Sequence, residues 1–242
     1  MQQDIEADVF KLYSPKVWAA GVAWLAIMLY LLMENFRSLI DEFTLRSSAS
    51  LAVAALQLIV TLLIATPAWR ILWRVCPKLN DWLFPDLNGE WEVTGETNWP
   101  RINALLEAAN AERSPVDMRS GDESTLPPLG KFTMKARIKQ SLSRIHVELW
   151  NPHGNSPIKN SRTLLVDPFF DENGRFGIAY IFEQENSTDV ISDDSKFLGA
   201  ARIVRDRDTN NRLVGSMWSD RVWRRGMNTA ANLTFTRKQT TD

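Results

Sequence analysis

Two apolar runs near the N-terminus constrain this chain more than any other feature. Residues 17–33, VWAAGVAWLAIMLYLLM, hold no charged side chain, and residues 51–69, LAVAALQLIVTLLIATPAW, are interrupted only by Gln57 and a few threonines. At ~1.5 Å of rise per helical residue, about 17 to 20 residues cover a hydrocarbon core of roughly 30 Å. Neither run carries a one-sided polar stripe, so a water-soluble fold would need a large core around both. The reading is a two-helix transmembrane hairpin, about 17–33 and 51–69, inside an N-terminal region 1–78. A cleaved signal peptide fits poorly, because the leader carries Asp4, Glu6 and Asp8 where a positive start is needed.

The flanks give an orientation. Lys11 and Lys16 precede the first run and Arg70, Arg74 and Lys78 follow the second, whereas the connecting loop sets Arg37 and Arg46 against Glu34, Asp41 and Glu42. The positive-inside rule then puts both termini, and everything after residue 78, in the cytoplasm. Trp18, Trp69, Trp73 and Trp82 fall where the membrane–water interfaces are expected. The lone Cys76 excludes an intramolecular disulfide and fits a reducing compartment.

From residue 90 the dominant period becomes two. In EWEVTGET, Trp91, Val93 and Gly95 alternate with Glu90, Glu92, Thr94 and Glu96. The alternation returns at 131–141, 144–150, 161–167, 176–185, 197–205, 212–219 and 230–237, which makes eight candidate strands with 90–97. Turn-like links such as NPHGNSP, DENG and DRDTNN predict a meandering antiparallel sheet. Such a sheet hides its edges by closing, and eight strands leave an interior that side chains fill or that holds one small ligand. The fold class expected is therefore membrane-anchored all-β: the hairpin, then an eight-stranded antiparallel β-barrel spanning 79–242. A short helix started by Pro100, in the insertion 100–130, is placed to cover one mouth.

Charge and motifs exclude several functions. With 28 Lys and Arg against 29 Asp and Glu, no basic field exists to attract duplex nucleic acid. His146 and His153 lack zinc-site spacing, and the acidic pairs Asp193–Asp194 and Asp206–Asp208 fall in turns where carboxylates are normally solvated. No phosphate-binding glycine loop or nucleophile elbow occurs, so neither an enzyme nor a cofactor is expected. The segment GSMWSDRVWRRG at 215–226 combines tryptophans with Arg221, Arg224 and Arg225 at a strand end. Arginine forks suit phosphate oxygens and aromatic faces stack on bases. The plainer alternative is that Trp218 closes the barrel and the arginines solvate a turn.

The pattern L-x-G-x-W with a later Trp, met by Leu87, Gly89, Trp91 and Trp99, precedes a late Gly215, Met217, Trp218, Ser219 and Arg221. Following two apolar spans, it resembles the membrane-anchored β-barrel effectors of bacterial cyclic-oligonucleotide-based anti-phage signalling (CBASS), which are CD-NTase-associated proteins. Val93 stands where that pattern usually has glycine, and Met217 where it has an aromatic. The resemblance implies a receptor in the bacterial inner membrane whose cytoplasmic barrel binds a cyclic dinucleotide made by a CD-NTase. Binding would drive self-association and disruption of the lipid bilayer. From the residues themselves, Trp99, Ser219 and Arg221 are placed at the barrel mouth, with Arg137, Arg144 and Arg202 as phosphate partners. The competing readings are a tethered calycin-like carrier of a lipid or apolar metabolite, and an anchor that recruits a partner through the acidic strand face.

Overall fold

The computed structural model describes residues 12–37, 48–110, 123–152, 158–187, 194–209 and 211–238. His153, Asp193, the leader through residue 11, the loop 38–47 and residues 111–122 of the insertion lie outside them. The chain divides into two compact units, one holding the helices through Asp86 together with Ser141–Arg144 and the other Leu87–Gln140 and the chain from Ile145 onward, so residues 79–86 group with the helices.

The helical unit contains α1 (Pro15–Arg37), α2 (Ser48–Ala65), α3 (Trp69–Val75) and the single turn α4 (Leu79–Trp82). α1 and α2 contact each other. Large apolar side chains on both face outward, among them Trp24, Ile27, Met28 and Leu31 on α1 and Val53, Leu58 and Leu62 on α2. Among the described residues no single helix is long and apolar enough to cross a membrane: Lys16–Leu32 is apolar but short, and Val53–Ala65 is bent by 94° from Trp69–Val75. Trp69 and Trp73 are buried. Their rings stand edge-on at 5.2 Å, Phe84 packs against both, and the Trp73 indole N–H donates to the Phe84 carbonyl at 2.7 Å.

The second unit is a closed eight-stranded antiparallel barrel in simple meander order. Its strands are β1 (Gly89–Thr97), β2 (Gly130–Gln140), β3 (Ile145–Trp150), β4 (Ile158–Phe170), β5 (Phe176–Asn186), β6 (Lys196–Arg205), β7 (Arg212–Ser219) and β8 (Ala230–Arg237). Each expected strand is present and β8 pairs with β1 to complete the ring. β4 runs further than its alternation indicates, because register shifts between Ile158 and Asn160 and between Thr163 and Leu165 break the period. The inner face takes every second residue, as the pleat demands.

The two ends of the barrel differ. Where β1 starts, Trp91, Phe235, Ile138, Ile178, Ile203 and Leu213 are all almost wholly buried and fill the interior. The lead-in locks this end: the Trp91 indole donates to the Leu87 carbonyl at 3.0 Å, and the Leu87 N–H donates to the Gln140 side chain at 2.7 Å. Asn88 exchanges hydrogen bonds with the Gln140 backbone at 2.8 and 2.9 Å. Gly89 sits at φ 136°, a conformation that side chains with a Cβ rarely adopt. The early L-x-G-x-W pattern is thus a structural plug. At the other end lie the long connections, including α5 (Trp99–Asn110), the helix expected after Pro100.

On the outer surface Ile181, Ala200, Trp218 and Ala230 are register partners across β5, β6, β7 and β8. They form an apolar row in which Trp218 is 53% exposed. Trp218 therefore faces solvent and does not close the barrel, since the alternation turns Met217 and Ser219 inward.

Candidate functional site

A cavity of about 200 Å³ opens at the end where β1 finishes. Phe132, Met134, Leu149, Ile158, Phe182, Phe197 and Leu233 give it apolar walls, while Thr97, Ser161, Tyr180, Gln184, Ser219, Arg221 and Thr229 contribute polar atoms. Arg221 is the one charged side chain among the described residues that line it. The hollow depends on close packing nearby: a Cβ on Gly199 would run into the Phe182 ring. The Tyr180 phenol is pushed up by burial, beyond its ordinary value, and so stays a neutral hydroxyl.

Three of the sequence-selected residues meet here. Trp99 opens α5, and its ring lies 3.9 Å from the Arg221 guanidinium carbon. Phe197 offers the same cation a second ring at 5.8 Å. Arg221 is only 8% exposed, so its charge is held in a largely dry, aromatic setting. Ser219 lies two residues earlier on the same inward parity.

The turn that aims Arg221 is strained and braced. Val222 adopts φ 57°, an outlier for a β-branched residue. Its N–H donates to the Asp194 carboxylate at 3.0 Å, and the Asp220 carboxylate accepts the Leu198 N–H at 2.8 Å. Asp194 is thus a loop brace instead of a solvated turn residue. A strained backbone fixed at a cavity mouth is a feature expected of binding sites.

The other three arginines lie outside the cavity lining. Arg137 points outward, pairs with Glu90 at 2.8 Å and stands 5.6 Å from the Trp150 ring. Its hydrogen bond holds the Glu90 carboxyl below the usual range. Arg202 is also on the outer face, with its guanidinium 4.5 Å from Phe169. Arg144 belongs to the turn between β2 and β3, where its N–H donates to the Ser141 hydroxyl at 3.0 Å. Arg137 and Arg202 share the polar parity of their strands, which a closed barrel turns away from its interior.

Sequence reasoning missed Thr229. It precedes β8 by one residue, and its carbonyl accepts the Ser219 N–H at 2.9 Å. Extending the inward series Phe235, Leu233, Ala231 by one step reaches it. The Ser219 and Thr229 hydroxyls are both buried without a hydrogen-bond partner. Among the described residues no three His, Cys, Asp or Glu side chains converge as a metal site would require.

The result is an eight-stranded closed barrel, solid at one end and hollow at the other, with a cation and rings at the mouth of a cavity large enough for a small group. No known protein-family profile matches the chain. Over 78 residues it is 37% identical to CD-NTase-associated protein 15 of Escherichia albertii, a match that covers 32% of this chain and 40% of that protein.

Proposed function

We propose that this chain is a CBASS-related receptor that binds a cyclic dinucleotide in the hollow end of its barrel and answers by self-association in the bacterial inner membrane. The likeness to a CD-NTase-associated protein supports the functional link to a nucleotide-producing CD-NTase. The observation that carries the ligand is the buried Arg221 stacked on Trp99 beside two unpartnered hydroxyls. A guanidinium matches phosphate oxygens, and an exposed ring face accepts a base. The protein acts by binding, not by catalysis.

The membrane step draws support from the outward apolar side chains of α1 and α2, which water would leave unsatisfied and lipid would cover. Self-association draws support from the outer row centred on Trp218. The ligand has to favour the assembled state, because equal affinity for both states shifts nothing. Confinement to a membrane raises the effective concentration of neighbours, so a small bias suffices.

Titration calorimetry of the full chain in detergent against a cyclic-dinucleotide panel tests the receptor. Dye-loaded vesicles carrying the full chain test the response, with ligand-dependent release expected. Absence of binding heat for every member of the panel sinks the reading. The predominantly apolar lining favours one alternative, a carrier of an apolar metabolite. A carrier is indifferent to Arg221→Ala, whereas the receptor is not.

A further inference from the structure

One row of the cavity wall is polar where its surroundings are apolar. Leu149, Ser161, Gln184 and Phe197 are register partners across β3, β4, β5 and β6, so Ser161 and Gln184 stand side by side between two apolar neighbours. Both line the cavity, and they are only 4% and 5% exposed. The Gln184 amide donates to the Asn186 carboxamide oxygen at 3.0 Å, which ties it to the wall. Among the described residues that is the one side-chain hydrogen bond of Gln184, and the Ser161 hydroxyl makes none. The described side-chain atoms sealed in the interior without a partner are Asn186 Nδ2, Ser219 Oγ, Thr229 Oγ1 and Arg237 Nε. Gln184 Oε1 and Ser161 Oγ are not among them, so each keeps accessible surface. In side chains this deeply buried, that surface belongs to the cavity they line.

We infer that this wall reads the edge of one nucleobase, which enters the cavity while the charged backbone of the dinucleotide stays outside. The inference rests on the receptor reading and deepens it. An amide that spends one hydrogen on Asn186 still offers its second hydrogen and both oxygen lone pairs, and a hydroxyl both donates and accepts. A phosphate oxygen only accepts, so it would leave Gln184 Oε1 desolvated and unanswered. An apolar guest would leave every polar atom of the wall unanswered. A base edge sets donors beside acceptors, and a glutamine can pair with two of them at once. Phe182 precedes Gln184 on the same inward parity and Phe197 stands beside it, so a flat ring has apolar surfaces to lie against. Volume agrees. At about 200 Å³ the cavity lies below the roughly 300 to 1,000 Å³ that encloses a drug-sized ligand, so it admits one base and not a whole dinucleotide. The second base stays at the mouth, where Trp99 offers a ring face.

The test is the base preference of the full chain in detergent, measured by calorimetry with symmetric cyclic dinucleotides that carry guanine, adenine, uracil or cytosine. Wild type should separate its strongest from its weakest member by at least about tenfold. Gln184→Met removes the amide at nearly constant shape, and Ser161→Ala removes the hydroxyl without taking a hydrogen bond from the described fold. Gln184→Met should bring the four affinities to within about threefold of one another, and Ser161→Ala should narrow their spread. A uniform loss for all four, or an unchanged spread, in both variants overturns the base site and leaves the receptor standing. Absence of any preference in wild type overturns it as well. If Gln184→Met does not fold, the spread in Ser161→Ala decides alone. If wild type binds no dinucleotide, the receptor reading fails and uncharged nucleosides of the same four bases decide the base site separately. Saturable thermal protection of wild type by one of them, lost in the variants, upholds it. Equal protection of wild type and variants, or none, overturns it.

Discussion

At the end of the barrel where β1 begins, Trp91 and Phe235 fill the interior and the lead-in ties itself to Gln140. At the other end the same inward parity delivers Thr97, Ser219 and Thr229, and the interior is left open. The connections differ in the same sense. Asp171 to Arg175 closes β4 to β5 with the Asp171 carboxylate accepting two backbone N–H groups and pairing with Arg175 at 2.7 Å. The hollow end instead carries a helix, long loops and a valine in left-handed geometry. One end is packed solid and the other is left open beneath its connections, the division expected when binding residues sit on connections held by a rigid scaffold.

The largest effect should come from attacking the solid end. Trp91→Ala removes the plug and its indole hydrogen bond, and should cost about 3 to 5 kcal/mol in urea denaturation. Met217→Ala, lining the cavity, should cost less than about 1.5 kcal/mol, because no close-packed neighbours surround it on that side. Equal losses would erase the distinction between the ends. The next effect in size belongs to ligand. Arg221→Ala should weaken cyclic-dinucleotide binding by about 1.5 to 3 kcal/mol in calorimetry.

How far these ends could be read from sequence depends on parity. Strand number was legible from the alternation in β1 and β2, whereas closure was expected because it best hides the edges of such a sheet. Ser219 and Arg221 were legible from a tryptophan–arginine cluster at a strand end. The outward position of two arginines was legible from parity: Arg137 lies between Ala136 and Ile138, and Arg202 between Ala201 and Ile203, so period two sends both to the surface. Thr229 was concealed because strand ends blur into turns. The solidity of one end was not legible at all, because it depends on how the inward side chains pack and on the Trp91 indole donating to the Leu87 carbonyl.

The outer surface offers a sharper cut between binding and response. β7 presents Ser219 to the cavity and Trp218 to the outside, so adjacent residues serve the two proposed steps. Trp218→Glu puts a charge in the apolar row and should weaken ligand-induced association by about 1 to 2 kcal/mol in analytical ultracentrifugation. Calorimetric affinity should be unchanged under dilute conditions where no association occurs. Loss of both together would mean that Trp218 supports the cavity wall and that the row is not an association surface.

Acid should separate the two ends with the smallest effect. Burial raises the Asp171 carboxyl, but hydrogen bonds from Arg175 and Asn173 outweigh it and hold the pKa below the ordinary value. Glu183 is held low as well, first by Lys196 and then by Arg162. A depressed folded-state pKa means the unfolded chain binds protons first, so this stability is present above the unfolded values of about 4 and is lost as pH falls through the folded ones. The urea midpoint should therefore drop below about pH 4, and Asp171→Asn should flatten that drop while lowering the midpoint at neutral pH. Ligand affinity should follow a different course. Among the described residues lining the cavity there is no carboxylate or histidine, and burial keeps the Tyr180 phenol protonated, so affinity should stay level from about pH 5 to 9. A binding curve that titrates near pH 6 would require a group from outside that lining to govern the site.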